Sequence, residues 1–376
     1  MEQALDEDWE LLLELFPMGW EETAVLSGAL ERLRGFASAR DLLRVLLLHV
    51  GRGYSLRESA VRARQSGLAD VSDVAILKRL QKAGEWWRQL CVALLRESGF
   101  AIRTEMRGWK VRAMDGTLIK EPGAGGGLWR VHYSLLLPEL ECDHLELTPL
   151  NGPGTGEKLE RFPAAAGDLM LADRGYCRPG SIAALHRQGA AVIVRLNTST
   201  LPLLDAGGKR FPLLRRLQRL GPKARPVEWR VWIRAAGQSV EGRLCAIRKS
   251  EASAQRARRK MLRRSQRSGS EPKPDTLAYT GYILVFTTLP ASQFTSAEVL
   301  EWYRLRWQIE LVFKRLKSLA GIGNLPKYDE RSARGWLYGK LLLALLGQKL
   351  MRLGRDISPW GYPIPPDRAG QRLAAI

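Results

Sequence analysis

Four side chains toward the C-terminal end of the chain could share one piece of chemistry. In the stretch Tyr303–Lys317, a helix turning about 100° per residue gathers Tyr303, Arg306, Glu310 and Lys317 within about 60° of arc. Trp302, Leu305, Ile309, Val312, Phe313 and Leu316 make a separate apolar face, so the polar stripe is not the side that packs on a core. Most charged stripes are solvated surface, yet one carboxylate framed by two cations and a phenol suits a site for a metal ion and a phosphate. Two more carboxylates fall where strands should end. The alternation in WKVRAMDGT delivers Asp115 ahead of an expected turn at Gly116 and Thr117. The apolar run Leu169–Ala172 delivers Asp173, after which Arg174 and Gly175 turn the chain. A glycine at such a place lets a phosphate or a metal approach the backbone closely.

The donor types narrow the metal. Cys91, Cys142, Cys177 and Cys245 are widely separated, and His49, His132, His144 and His186 form no His-Glu-x-x-His pattern, so zinc is not expected. A metal held by carboxylates alone should be a hard cation such as Mg²⁺ or Mn²⁺. Charge points to the partner: 59 Lys and Arg against 39 Asp and Glu leave the 376-residue chain at a formal +20, which favours an anionic partner, most simply nucleic acid. The acidic start is no signal peptide. The apolar runs over residues 42–50 and 341–346 fall short of the ~20 residues that span a bilayer, so no membrane contact and a cytoplasmic location are expected.

The elements that must position these residues divide the chain into five parts. Residues 1–105 read as helical, with apolar residues at three- and four-residue spacings over 9–16, 24–33, 39–50, 56–64, 74–83 and 86–97. Within them, residues 54–84 resemble two helices around a turn, with Ser72 as N-cap of a second helix bearing Lys78, Arg79 and Lys82. Either a helix-turn-helix or a plain bundle accounts for that pattern. Residues 106–200 read as a mixed α/β unit, with strands at 131–137, 145–148, 169–172 and 190–196 and a helix at 182–188 capped by Ser181. The glycine-rich pieces EPGAGGGLW and NGPGTGEKL do not fit a phosphate-loop pattern and read as loops. Residues 201–280 carry two strands and a basic run. Seven Lys and Arg with no acid over 255–267, among them Arg258, Arg259, Lys260, Arg263 and Arg264, should form a helix on a phosphate backbone. Residues 281–352 hold a central strand, Ser296 as N-cap before the Glu310 helix, and a long helix at 333–351. The Pro-rich tail, 353–376, reads as poorly ordered.

Taken together, Asp-Gly-Thr at Asp115, Ala-Asp-Arg-Gly-Tyr at Asp173 and Tyr303-x2-Arg306-x3-Glu310-x6-Lys317 resemble the three signatures of the insertion-sequence-four group of bacterial DDE transposases. The resemblance covers roughly residues 40–350, and the second gap between acids (310 − 173 = 137) exceeds the first (173 − 115 = 58), as an insertion requires. It implies a ribonuclease-H-like mixed sheet flanked by helices, a β-rich insertion before the last catalytic helix, and an N-terminal all-α DNA-binding domain. It implies Asp115, Asp173 and Glu310 as catalytic residues holding two Mg²⁺ or Mn²⁺ ions about 3.5–4 Å apart, with Asp115 bridging both. Arg306 and Lys317, with Arg174, would grip phosphates, and Tyr303 would stack on a base or bond a phosphate. The implied activity is a DNA transposase, a homodimer that cuts insertion-sequence ends at terminal inverted repeats and joins them to target DNA. A structure-selective nuclease and a non-catalytic DNA-binding regulator are the alternatives. Among Trp229, Trp232 and Trp302 the sequence assigns no base-flipping aromatic.

Overall fold

The structure is a computed structural model; it describes residues 9–31, 35–99, 105–121, 128–221, 225–235, 237–269, 271–323, 325–326 and 329–355. Residues 122–127 of the first glycine-rich piece and residues 356–376 of the tail lie outside the described residues.

Runs of β-branched and aliphatic residues build eight strands: β1 (Lys110–Lys120), β2 (Leu128–Leu137), β3 (Glu141–Pro149), β4 (Asp168–Ala172), β5 (Ala191–Arg195), β6 (Val227–Ala235), β7 (Gln238–Arg248) and β8 (Tyr282–Thr287). They form one mixed sheet in the order β3-β2-β1-β4-β5-β8-β7-β6. β1, β4 and β5 run parallel, and the other neighbours pair antiparallel. The hairpin β6–β7, expected as an insertion, does not stand apart: β7 pairs with β8 from Arg243 to Arg248 and prolongs the central sheet.

Alternation assigns the two faces. Val111, Ala113, Leu169 and Leu171 join one core, whereas Met114, Met170 and Ala172 join the other. The first core is closed by Ile309, Val312, Phe313 and Leu337, and the second by Ile182, Leu185, Phe162 and Tyr176.

The described residues of the N-terminal region hold a helical segment at 9–14 and then α1 (Trp20–Leu26), α2 (Ala39–Val50), α3 (Leu56–Gln65) and α4 (Asp73–Gly99). The helix expected over 24–33 instead starts at Trp20 and ends at Leu26, residues 27–31 form turns and a bend, and residues 32–34 lie outside the described residues. Two helices were expected where α4 runs unbroken through Gly84, because that glycine serves a close crossing with the last long helix. A Cβ at Gly84 would stand 3.4 Å from the Gly335 backbone nitrogen. Ser72 caps α4 as expected, accepting from the Ala75 N–H at 3.2 Å. A helix-turn-helix reading of α3–α4 gains little support. Lys82 pairs with Glu31 at 2.7 Å, and Arg79 lies over the Phe36 ring and donates to the Ala29 carbonyl, so both cations serve the bundle.

The remaining helices are α5 (Pro179–Arg187), α6 (Leu213–Gln218), α7 (Glu251–Ser268), α8 (Pro274–Tyr279), α9 (Ser296–Leu305), α10 (Trp307–Ser318) and α11 (Glu330–Arg355). Two expected caps shift. Ser181 sits inside the first turn of α5, whose N-cap is Arg178, and its hydroxyl donates to Glu160 at 2.6 Å. The N-cap of α9 is Thr295, not Ser296, in a capping box with Glu298. No helix among the described residues is long and apolar enough to cross a membrane.

Candidate active site

Asp115 does not end its strand, as the sequence suggested. β1 continues through Gly116 and Thr117 because β2 pairs with it along its whole length, with Asp115 opposite Tyr133 and Lys120 opposite Leu128. The strand end lies on the other side: β4 stops at Ala172 opposite Met114, so Asp115 and Asp173 follow at the level where the parallel neighbour gives out. In step with Val111, Ala113, Leu169 and Leu171, both acids belong to the sheet face covered by α10.

The stretch carrying the third acid is not one straight helix. Arg306 closes α9 and opens α10 at φ −52° and ψ −27°. The Arg306 N–H donates to the Tyr303 carbonyl, and the Ile309 N–H donates to the Arg306 carbonyl, both at 3.2 Å. α9 packs on β5, β6, β7 and β8, whereas α10 packs on β1, and the break lets each half follow a sheet that twists between them.

The break leaves the polar stripe facing the aspartates. Tyr303 Oη donates to Asp173 Oδ1 at 3.2 Å. The Arg306 guanidinium lies 3.5 Å from Asp115 Oδ2 and 2.5 Å from Glu310 Oε1, only 12% exposed, and sits 5.9 Å from the centre of the Tyr303 ring. Asp115, Asp173, Tyr303, Arg306 and Glu310 thus form one cluster. Lys317 is exposed beyond the cluster, two turns further along α10, and Arg174 is exposed on the turn that follows Asp173. Arg258, Arg259, Lys260, Arg263 and Arg264 lie on α7, a helix without a buried residue.

Burial pushes the Asp115 carboxyl up to about 6. The Gly116 N–H at 2.8 Å and the Arg306 cation oppose that rise, while Asp173 and Glu157 add to it. Burial works against the Arg306 cation, yet Glu310, Tyr303, Asp173 and Asp115 hold it more firmly protonated than usual. Burial raises the Tyr303 phenol as well, so it stays a hydrogen-bond donor to Asp173.

These residues fit a hard divalent ion in donor chemistry: half-buried carboxylates crowd one another, and the charge drawn in among them is positive. Among the described residues no three acid, histidine or cysteine side chains already converge as a cage, because Arg306 stands between Asp115 and Glu310. The four cysteines are buried and form no disulfide.

Two residues near the cluster, Glu157 and Arg130, escaped the sequence reading, and Tyr176, the last residue of the Asp173 motif, was given no role there. Their signal was indirect, a glycine directly after Asp115 and another two residues after Asp173.

Residues 153–346 match the family described as "Transposase DDE domain", a range that holds Asp173 and Glu310 and begins after Asp115. The chain is 33% identical over 365 residues to the putative transposase InsL for insertion sequence element IS186A of Escherichia coli (strain K12), covering 94% of this chain and 96% of that protein. It is likewise 33% identical over 366 residues, with the same coverage, to the transposase for insertion sequence element IS421 of Escherichia coli. A shorter match, 34% over 71 residues, covers 19% of this chain and 15% of the transposase for insertion sequence element IS1151 of Clostridium perfringens. With its mixed sheet, its flanking helices and its three motifs in order, the chain belongs to the DDE transposases of bacterial insertion sequences, enzymes that cut and join DNA.

Proposed function

We propose that Asp115, Asp173 and Glu310 are the catalytic acids of this transposase and hold two divalent ions, Mg²⁺ or Mn²⁺. The observation that carries this reading is the meeting of residues far apart in sequence: Tyr303 on Asp173, and Arg306 on both Asp115 and Glu310. Bound there, the ions would supply an activated attacking oxygen and charge relief at the leaving oxygen of an in-line phosphoryl displacement. The side chains do the rest. Tyr303 fixes the rotamer of Asp173 and keeps one of its oxygens turned inward. Arg306 shields Asp115 from Glu310, and its fork is the group placed to take a phosphate of the cleaved strand. Lys317 and Arg174, at the rim, take further phosphates. The α7 cations Arg258, Arg259, Lys260, Arg263 and Arg264 hold the flanking duplex.

In the same reading, residues 1–105 form the DNA-binding region and residues 106–200 with 281–352 the catalytic core. Residues 201–280 are the insertion and residues 353–376 the tail. The substrates are double-stranded terminal inverted repeats and target DNA, and a homodimer assembled on the DNA holds two ends together in the cytoplasm, on the nucleoid.

The test is nicking and joining of a labelled end duplex beside a gel-shift titration of the same DNA. Asp115→Asn, Asp173→Asn and Glu310→Gln should each lower strand cleavage by orders of magnitude, while binding in chelator persists. Cleavage at the parent rate by Glu310→Gln would return the stripe to a solvated face. Nicking without joining would favour a nuclease.

A further inference from the structure

Each catalytic aspartate has a glycine close behind it, and both glycines face the same side chain. A Cβ at Gly175 would overlap Glu157 Oε2, and a Cβ at Gly116 would stand 3.5 Å from Glu157 Oε1. The Glu157 carboxylate therefore fills space that is open because residue 175 lacks a side chain, and it lies in ordinary contact range of residue 116. Arg130 braces it from β2, with its Nε 3.7 Å from Glu157 Oε1 and its side-chain carbons against Gly116.

A second feature points into the same place. Tyr176 is 1% exposed, and its hydroxyl has no hydrogen-bond partner among the described residues. Burial first, and then the charges of Asp115 and Glu157, hold the proton on that hydroxyl. The Arg130 Nε is likewise buried without a hydrogen bond. Buried donors are rarely left unmatched, and here they border a carboxylate that neither the core nor an ordinary surface pair requires.

We propose that Glu157 is a fourth carboxylate of the catalytic centre: a positioning residue that, braced by Arg130, strengthens divalent-ion binding at Asp115 and Asp173. Gly175 is then required because it admits Glu157, not because the chain turns there. The inference rests on the metal reading above. The charge of Glu157 is felt at Asp115, and a carboxylate in that range of a bound cation, partly shielded from water, is worth on the order of tenfold in its affinity.

The experiment titrates Mn²⁺ into the full-length protein without DNA, following free Mn²⁺ by electron paramagnetic resonance. Glu157→Gln keeps the shape that fills this space, and Gly175→Ala pushes Glu157 out of it. Both variants should bind Mn²⁺ at least about tenfold more weakly than the parent. Their gel shifts on end DNA in chelator and their melting temperatures in chelator, which report fold alone, should stay at parent values for Glu157→Gln. A parent that binds Mn²⁺ while Glu157→Gln binds it equally well would overturn the role of Glu157 and leave the three-acid site standing. Loss of affinity in Glu157→Gln that is matched by a lowered melting temperature in chelator would make Glu157 a structural brace only. A parent that takes up no Mn²⁺, or takes it up unchanged after Asp173→Asn, would sink the metal reading itself, and Glu157 with it.

Discussion

Replacing Asp115 with Asn should stabilise the ion-free protein, and the size of the gain follows from the site. Burial lifts the Asp115 carboxyl from 3.8 to about 6, a shift of about 2 units at 1.36 kcal/mol each, or about 3 kcal/mol. The sign is set by proton linkage. Below pH 3.8 the group is protonated in both states and contributes nothing. Between there and pH 6 the unfolded chain gives up its proton and the folded one keeps it, so stability falls as pH rises, and above pH 6 the full penalty is present. Asparagine carries no such penalty, and because the attraction to Arg306 at 3.5 Å is already contained in the net shift, the gain stays at about 3 kcal/mol. At pH 8 in chelator that corresponds to a rise in melting temperature on the order of 5 °C, shrinking to nothing near pH 4. Mn²⁺ should reverse the order, since a bound cation offsets the crowding of the acids in the parent and finds a weaker site in the variant. Thermal melts across pH 4–8.5, with chelator and with Mn²⁺, make the measurement. A variant no more stable than the parent at pH 8 in chelator, or a gain independent of pH, would refute the claim that Asp115 is an acid held under strain for a cation.

Three other perturbations test separate parts of the molecule. Arg306→Ala should free Asp115 and Glu310 from their shared cation, so it should weaken DNA-end binding in chelator by about tenfold while leaving Mn²⁺ uptake intact or tighter; weaker uptake would count against Arg306 as a displaceable bridge. Replacing Arg258, Arg259, Lys260, Arg263 and Arg264 on α7 by Ala should flatten the fall of log affinity with log salt by ~0.9 for each phosphate left without its cation, and an unchanged slope would remove α7 from the DNA surface. Gly339→Ala would drive a Cβ into the Trp87 ring at the α4–α11 crossing, and should cost about 1–3 kcal/mol or more in urea unfolding with the midpoint lowered; a neutral result would mean that the crossing relaxes freely.

Part of this protein is written locally. The three motifs, their order and the residue types around each acid are properties of short segments, and so are the oxygen-only donor set and the excess of cations on α7. Strand and helix types followed for the same reason: alternation in β1 and the three- and four-residue spacing in α2 depend on neighbours a few positions away. Where packing decided, the local reading failed. Nothing within Asp115-Gly116-Thr117 states that β2 pairs through it while β4 stops beside it, so an apparent strand end became the middle of a strand. Gly84 looked like a helix break and is a point of close approach to Gly335 in a helix more than two hundred residues away. The wheel drawn through Tyr303 and Lys317 assumed a straight helix, but the sheet beneath it twists and the helix breaks at Arg306. The sequence by itself determined which side chains could do the chemistry. That Arg306 bridges Asp115 and Glu310, that Asp115 resists ionisation, and that Glu157 lies beside Gly116 and Gly175 were decided only in three dimensions, because burial and Coulomb energy depend on distances between segments that no local pattern encodes.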